Sequence, residues 1–106
     1  MSYGILLTPE AEDQLRQGDV WWQANRPAAP DLLIEEFERT VDLLREMPSL
    51  GSPFRRARIL GIRRILLRRS GYWVYYLPDE IHSVVYILAV WSGHRGTDPS
   101  LAAQRS

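Results

Sequence analysis

The chain has 106 residues, of which 45% are apolar and 25% are charged. This composition is ordinary for a globular protein, and the length is enough for one hydrophobic core. Cysteine is absent, which excludes disulfides and thiolate chemistry. All thirteen basic residues are arginines. Lysine is therefore excluded as a general base, and the remaining cations are planar, permanently charged groups that suit phosphate.

The formal net charge of zero conceals an asymmetry along the chain. Residues 1–50 carry ten acids against four arginines, whereas residues 51–106 carry nine arginines against three acids. We interpret this division as an acidic outer layer and a basic working face. The alternative is that the charges simply coat whichever faces are solvated. We find neither a signal-peptide pattern nor an apolar run of about 20 residues, which predicts a cytoplasmic protein without membrane association.

The first half of the chain predicts a strand followed by two helices. The apolar run Tyr3–Leu7 is typical of a buried strand. Thr8 is a candidate cap and Pro9 suits the first position of a helix, which should end near Asn25 because prolines follow it. A second helix is expected from a cap at Asp31 to the proline at position 48. Its apolar stripe consists of Leu33, Phe37, Val41 and Leu44.

The second half predicts three consecutive strands. Ile59–Arg69 is the first, and a tight turn at Ser70-Gly71 leads into the aromatic second strand, Tyr72–Leu77. Residues Pro78–Glu80 turn the chain again. Ser83–Trp91 is continuously apolar, as a central strand buried on both faces would be.

The order βααβββ predicts an α+β fold. We expect an antiparallel three-strand meander plus an N-terminal strand, with a helical hairpin packed on one face. Residues 1–95 should form a single domain, and residues 96–106 a flexible C-terminal tail.

That order, together with short stretches of sequence, resembles the RelE/ParE superfamily of toxins from type II toxin–antitoxin systems. The resemblance runs over residues 3–95. The matching stretches are the aliphatic opening strand, then MPSLG, GIRRILL, GYWVYYL and VVYILAVWSGHR. The resemblance implies a toxin that is neutralised by a cognate antitoxin, whose disordered segment folds around it. RelE-like members are ribosome-dependent mRNA endonucleases, whereas ParE-like members poison DNA gyrase and are not known to cleave RNA.

Our leading interpretation is a ParE-like toxin of the plasmid-stabilisation type, which acts by binding gyrase and needs no metal, cofactor or small-molecule ligand. The main alternative is a RelE-like, metal-independent endoribonuclease that acts on mRNA at the ribosome. A third is a degenerate family member that binds an antitoxin and is no longer toxic. Two departures from RelE favour the first interpretation: its lysine bases have no counterpart, and its tyrosine after the last strand's arginine is missing.

Metal-free RNA cleavage would need a base, a cation and an acid around one phosphate. The candidates are Arg64, His94 and Arg95. A phosphate between Arg64 and Arg95 would leave His94 as acid or base. The alternative for Arg64 is a buried ion pair with Glu35 or Glu38.

Other residues are candidates for contact with a partner. Two clusters could bind phosphates of ribosomal RNA or gyrase-bound DNA, or simply be solvated: Arg55, Arg56 and Arg58, and Arg68 and Arg69. Trp73 and Tyr75 share one strand face, which could be a stacking or antitoxin surface or part of the core. Trp21 and Trp22 cannot both face the core. The exposed one would suit an antitoxin or gyrase interface, or would pack beneath the linker Pro27–Pro30.

Overall fold

A five-stranded sheet with two helices on one face forms the molecule, and the computed structural model describes residues 2–101. The elements are β1 (Gly4–Leu7), α1 (Pro9–Asn25), α2 (Leu32–Glu46), β2 (Ser52–Pro53), β3 (Arg63–Leu67), β4 (Tyr72–Asp79), β5 (Val84–Ser92) and a short 3-10 helix (Gly93–Arg95). The strand order is β1-β5-β4-β3-β2. Strand β1 pairs with β5 in parallel, and the other pairs are antiparallel. The predicted α+β class is confirmed.

The last long strand is central, as its continuous apolar sequence predicts. Strand β5 lies between β1 and β4, and its residues from Ile87 to Val90 are buried. Strand β3 lies on the far side of β4 and does not pair with β5. The residues of β3 are therefore separated from the end of β5 by a whole strand.

The strand boundaries differ from the predicted ones where the backbone changes direction. Strand β3 begins only at Arg63, because Gly61 has a φ of +90° and residues 55–61 form turns. The predicted loop contains β2, a two-residue edge strand where a proline is tolerated. Strand β4 continues through Pro78 and Asp79, so the predicted turn there is wrong and the chain reverses over residues 80–83.

The two helices begin differently. The Thr8 hydroxyl accepts a hydrogen bond from the backbone N–H of Ala11 at 3.1 Å, which confirms the predicted cap of α1. Asp31 occupies the predicted cap position of α2, but its side chain makes no capping hydrogen bond. Its backbone oxygen accepts the N–H of Glu35 at 2.9 Å instead.

Each face of the sheet has its own apolar cluster. The helix face holds the larger core, in which the stripe of α2 meets alternate residues of β4 and β5, including Val74, Tyr76 and Val90. The far face holds a smaller one: Phe54, Ile62, Tyr75, Leu88, Ala89 and Leu101. A β-bulge lets two adjacent residues of β5, Leu88 and Ala89, both belong to this far-face cluster. Because Tyr75 pairs with Ala89 and Tyr76 with Ile87, Leu88 is the extra residue.

The start of the predicted flexible tail packs against the far face. Pro99 is buried, and Leu101 is only 6% exposed within the far-face cluster. The stretch therefore contacts the far-face cluster at Leu101, and its predicted flexibility stays a prediction. The remainder of the predicted tail, residues 102–106, lies outside the described residues.

The adjacent tryptophans of α1 have different environments. Trp22 is buried and donates its indole N–H to the Ala29 carbonyl at 2.8 Å, so it packs beneath the interhelical linker. Trp21 is 45% exposed. Only Trp21 therefore remains available to a partner.

Replacing Trp22 with phenylalanine is expected to lower the free energy of unfolding by about 1–2 kcal/mol, because the Ala29 carbonyl loses its donor and the pocket loses packing volume. Urea denaturation followed by circular dichroism measures the change. The matched control is Trp21→Phe, which should shift it by less than about 0.5 kcal/mol. Equal effects of the two substitutions would contradict the assigned environments.

Neither helix within residues 2–101 has the length and apolar character needed to cross a membrane. The same part of the chain contains no cluster of three or more His, Asp or Glu side chains positioned to hold a metal ion.

Candidate functional site

The predicted site residues are divided between two clefts on opposite faces of the sheet. The far-face cleft has a volume of about 250 Å³ and includes Arg56, Arg64, Trp73 and Tyr75. The helix-side cleft has a volume of about 760 Å³ and lies between α1 and the turn joining β3 to β4. Its walls include Trp21, Arg69, Ser70, Tyr72, His94 and Arg95. Ser92, at the end of β5, lines both clefts.

Arg64 is stacked on aromatic rings of the far face. Its guanidinium carbon lies 4.0 Å from the centroid of the Trp73 ring, and Nη1 donates a hydrogen bond to the Tyr75 hydroxyl at 3.2 Å. A guanidinium over an indole is favourable because the ring face is electron-rich. The alternative ion pair with Glu35 or Glu38 is wrong, since the pleat directs Arg64 away from the helices.

The aromatic residues next to Arg64 belong largely to the core. Tyr75 is 1% exposed and packs edge-on against Phe54, with ring centroids 5.0 Å apart. Trp73 is half-buried and pairs across the strands with Trp91. Of the predicted contact pair, Trp73 offers a ring surface, whereas Tyr75 is enclosed.

Of the first arginine cluster, Arg56 alone lines the far-face cleft. Arg56 lies 5.3 Å from the centroid of Phe54 and forms a salt bridge with Asp98 at 3.3 Å. Arg55 and Arg58 are exposed and form no salt bridge with any described residue. A polyanion would therefore meet two uncompensated charges here.

His94 and Arg95 follow β5 and border the helix-side cleft. The His94 ring covers the turn, since a Cβ placed on Gly71 would lie 3.4 Å from its Nε2. The Arg95 guanidinium carbon lies 4.2 Å from the centroid of Trp91. Burial raises the pKa of the Tyr72 phenol, and the nearby charge of Arg95 offsets part of that rise. Tyr72 is accordingly a neutral hydroxyl at physiological pH.

A buried carboxylate holds the turn that carries the second arginine cluster. Glu36 of α2 is 9% exposed. Its two oxygens accept the backbone N–H groups of Arg69 at 2.8 Å and Ser70 at 3.0 Å. The side chains of Arg68 and Arg69 are consequently presented to solvent from a fixed turn. Sequence reasoning missed Glu36, although it falls on the buried stripe of α2.

The three candidate catalytic residues do not converge. Arg64 lines the far-face cleft, whereas His94 and Arg95 line the helix-side cleft. Arg64 is stacked on Trp73 and Arg95 on Trp91, and these two tryptophans pair across β4 and β5. The predicted phosphate position between the two arginines stays a prediction, whereas His94, the third member, lines the other cleft. The structure instead groups Trp21 and Arg69 with His94 and Arg95.

A family model described as the ParE toxin of the type II toxin–antitoxin system parDE matches residues 5–96. This chain belongs to the ParE toxin family. The predicted membership of the RelE/ParE superfamily is thereby confirmed. The match includes the residues of α1, β3, β4 and β5 that border both clefts, and it ends just past Arg95. No curated protein matches this ParE-family chain.

Solved structures of both branches of the superfamily share the fold of this ParE-family toxin. The RelBE2 toxin–antitoxin complex of Mycobacterium tuberculosis is 25% identical, with a TM-score of 0.62 over 87% of this chain and 99% of the other. The chromosomal ParDE system of Pseudomonas aeruginosa is 15% identical, with a TM-score of 0.68 over 86% and 96%. A mutant of Escherichia coli RelE in the free state is 20% identical, with a TM-score of 0.59 over 91% and 88%.

Proposed function

We propose that this ParE-family toxin inhibits growth by binding DNA gyrase engaged with DNA, and that a cognate antitoxin neutralises it. The observation that carries this proposal is the separation of Arg64 from His94 on opposite faces of the sheet. The ParE family model, which matches most of the chain, supports the same branch.

Binding fits the side-chain arrangement better than RNA cleavage does. General acid–base catalysis needs the acid, the base and the stabilising cation within hydrogen-bond reach of one reacting phosphate. The Arg64 guanidinium instead contacts Trp73 and Tyr75, and His94 lies over the turn at Gly71. Lysine, the base used by RelE, is absent from the chain.

The exposed arginines supply contacts for the DNA of a gyrase complex. Arg68 and Arg69 extend from the turn after β3, and Arg55 and Arg58 from the segment before it. Cations on protein surfaces bind the phosphate backbone and release counterions, so this contribution weakens as salt increases. We propose that these side chains contact DNA while the aromatic surfaces contact gyrase.

The proposed antitoxin would cover apolar surface on the helical hairpin. Val20 and Trp21 of α1 and Leu43 of α2 are 64%, 45% and 46% exposed. An amphipathic antitoxin helix could bury such side chains. Two of the similar solved structures are described as toxin–antitoxin systems, which is consistent with this partner.

The test combines a gyrase assay with RNA mapping. Purified toxin added to gyrase, ATP and supercoiled plasmid should increase cleaved DNA, and a pulse of expression in cells should produce no RNA 5′ ends in phase with codons. The double variant Arg64→Gln, His94→Ala should retain toxicity within about twofold, because neither side chain performs acid–base chemistry in this proposal.

Circular dichroism and thermal unfolding establish that the double variant is folded. Loss of toxicity in a folded double variant, with codon-phased ends produced only by the wild-type toxin, would overturn the proposal in favour of a ribosome-dependent nuclease. Normal growth of cells that express folded wild-type toxin would also overturn it, in favour of a degenerate member.

A further inference from the structure

The helix-side cleft is strongly basic although the chain has no net charge. Its lining includes Arg26, Arg69, Arg95 and His94, and no lining residue is an aspartate or a glutamate. The volume of about 760 Å³ lies within the range of small-molecule sites. A cleft with several cations and no carboxylate favours an anionic ligand.

The cleft arginines are not neutralised by neighbouring acids. Among the described residues, no salt bridge involves Arg26, Arg69 or Arg95. The Arg95 guanidinium is stacked over Trp91 of the far face, so it lies at the border between the two clefts with its N–H donors unused by this contact. Arginine held in this manner can donate two parallel hydrogen bonds to a phosphate.

Neutral donors accompany the charges. Ser70 lines the cleft and is 5% exposed, and its buried hydroxyl makes no hydrogen bond with any described residue. The side-chain oxygen of Gln14 accepts the N–H of Val90 at 2.8 Å, which leaves the amide nitrogen of Gln14 as a donor at the cleft wall. A buried hydroxyl without a partner costs free energy, but this one is closed to solvent, so a ligand in the cleft does not contact it unless the wall moves.

One wall of the cleft is aromatic. Trp21 is 45% exposed, and its ring centroid lies 6.0 Å from that of Trp22. The Arg26 guanidinium carbon lies 5.2 Å from the Trp21 centroid. Tryptophan and arginine planes of this kind stack on nucleobases. The ligand that satisfies both walls carries a phosphate and a planar base.

We propose that the helix-side cleft binds a nucleotide, with its phosphate at Arg69 and Arg95 and its base against Trp21. This site requires neither gyrase nor antitoxin, but it shares Arg69 and Trp21 with the DNA and antitoxin contacts of the proposed function, so a bound nucleotide would compete with both. The nucleotide is either free in solution or a unit of a single strand, since both present the same phosphate and base. The expectation from sequence that no small-molecule ligand binds is revised accordingly.

Isothermal titration calorimetry on the wild-type chain tests the site with AMP, adenosine, inorganic phosphate and a short single-stranded oligodeoxyadenylate. AMP should bind with one-to-one stoichiometry. Adenosine and phosphate should each bind at least about tenfold more weakly than AMP, because each lacks one of the two contacts. If the oligonucleotide binds and AMP does not, the ligand is a nucleotide within a single strand rather than a free nucleotide. The proposal then stands provided that the cleft variants abolish oligonucleotide binding.

The variants separate the cleft from general surface charge. Arg69→Gln combined with Arg95→Gln should weaken binding at least about tenfold. The matched control, Arg16→Gln combined with Arg39→Gln, removes the same charge from exposed positions outside the cleft and should weaken binding by less than about twofold. Equal weakening by both pairs, or no binding of any of the four probes to the folded wild-type protein, would overturn the proposal.

Discussion

Replacing Glu36 with alanine is expected to lower the free energy of unfolding by about 2–4 kcal/mol. The Glu36 carboxylate is largely buried and accepts the backbone N–H groups of Arg69 and Ser70. Alanine would leave both donors without an acceptor, and that of Ser70 lies in a buried environment. Hydrogen bonds to a charged acceptor are stronger than neutral ones, so this loss exceeds that at an ordinary surface residue. Urea denaturation of the purified chain measures it.

Two further substitutions identify the cause of the Glu36 effect. Glu36→Gln keeps one carbonyl oxygen and should have about half the effect of alanine. Glu38→Ala changes an exposed glutamate two positions along the same helix and should alter stability by less than about 0.5 kcal/mol. If Glu36→Ala and Glu38→Ala were equally stable, the carboxylate would not be holding the turn.

Replacing Gly51 with alanine should destabilise the protein by about 2–4 kcal/mol, because the chain passes too close to β3 to admit a methyl group. A Cβ at this position would lie 2.6 Å from the backbone oxygen of Arg64 and 2.8 Å from the Tyr76 hydroxyl. The backbone oxygen belongs to a paired strand and cannot move aside without disturbing the sheet. A thermal melt of the purified variant would register the change.

Two other substitutions serve as controls for Gly51→Ala. Gly4→Ala adds the same methyl where the nearest atoms are 3.9 Å away, and it should change stability by less than about 0.5 kcal/mol. The Gly51 N–H donates to the Tyr76 hydroxyl at 2.7 Å, so Tyr76→Phe should cost about 1–2 kcal/mol by removing the acceptor. If Gly51→Ala were as stable as Gly4→Ala, the segment that contains Gly51 could move away from β3 at little cost, and the prediction would be wrong.

Local chemistry made some boundaries predictable. Thr8 and Pro9 identify the start of α1, because a hydroxyl acceptor and a fixed φ both suit that position. Asp31 has equally suitable chemistry but makes no capping hydrogen bond. The two backbones differ: Thr8 is extended, as a capping residue usually is, whereas Asp31 has φ −101° and ψ 10°. A backbone difference of that kind does not appear in the spacing of residues.

The candidate site depends on a choice between two sheet faces that the sequence leaves open. Strand alternation places Arg63 and Arg64 on opposite faces, but it does not say which face the helices cover. The structure directs Arg64 away from the helices, towards Trp73, and thereby separates it from His94. The prediction of one phosphate site required both residues on one face. Trp21 lies in the same cleft as Arg69 because α1 packs beside the β3–β4 turn. No local sequence pattern predicts that packing.

The parallel pairing of the first and last strands has a consequence for synthesis. Strand β1 leaves the ribosome first, but its sheet neighbour β5 is made last, since Gly4 pairs with Val84. Helix α1 also depends on β5, through the hydrogen bond between Gln14 and Val90. A nascent chain that stops before Val84 lacks the partner for both elements. Contacts between distant parts of a chain form late and slow folding. The native sheet therefore forms only after β5 has been made, and translation products that stop before Val84 lack the β1–β5 pair.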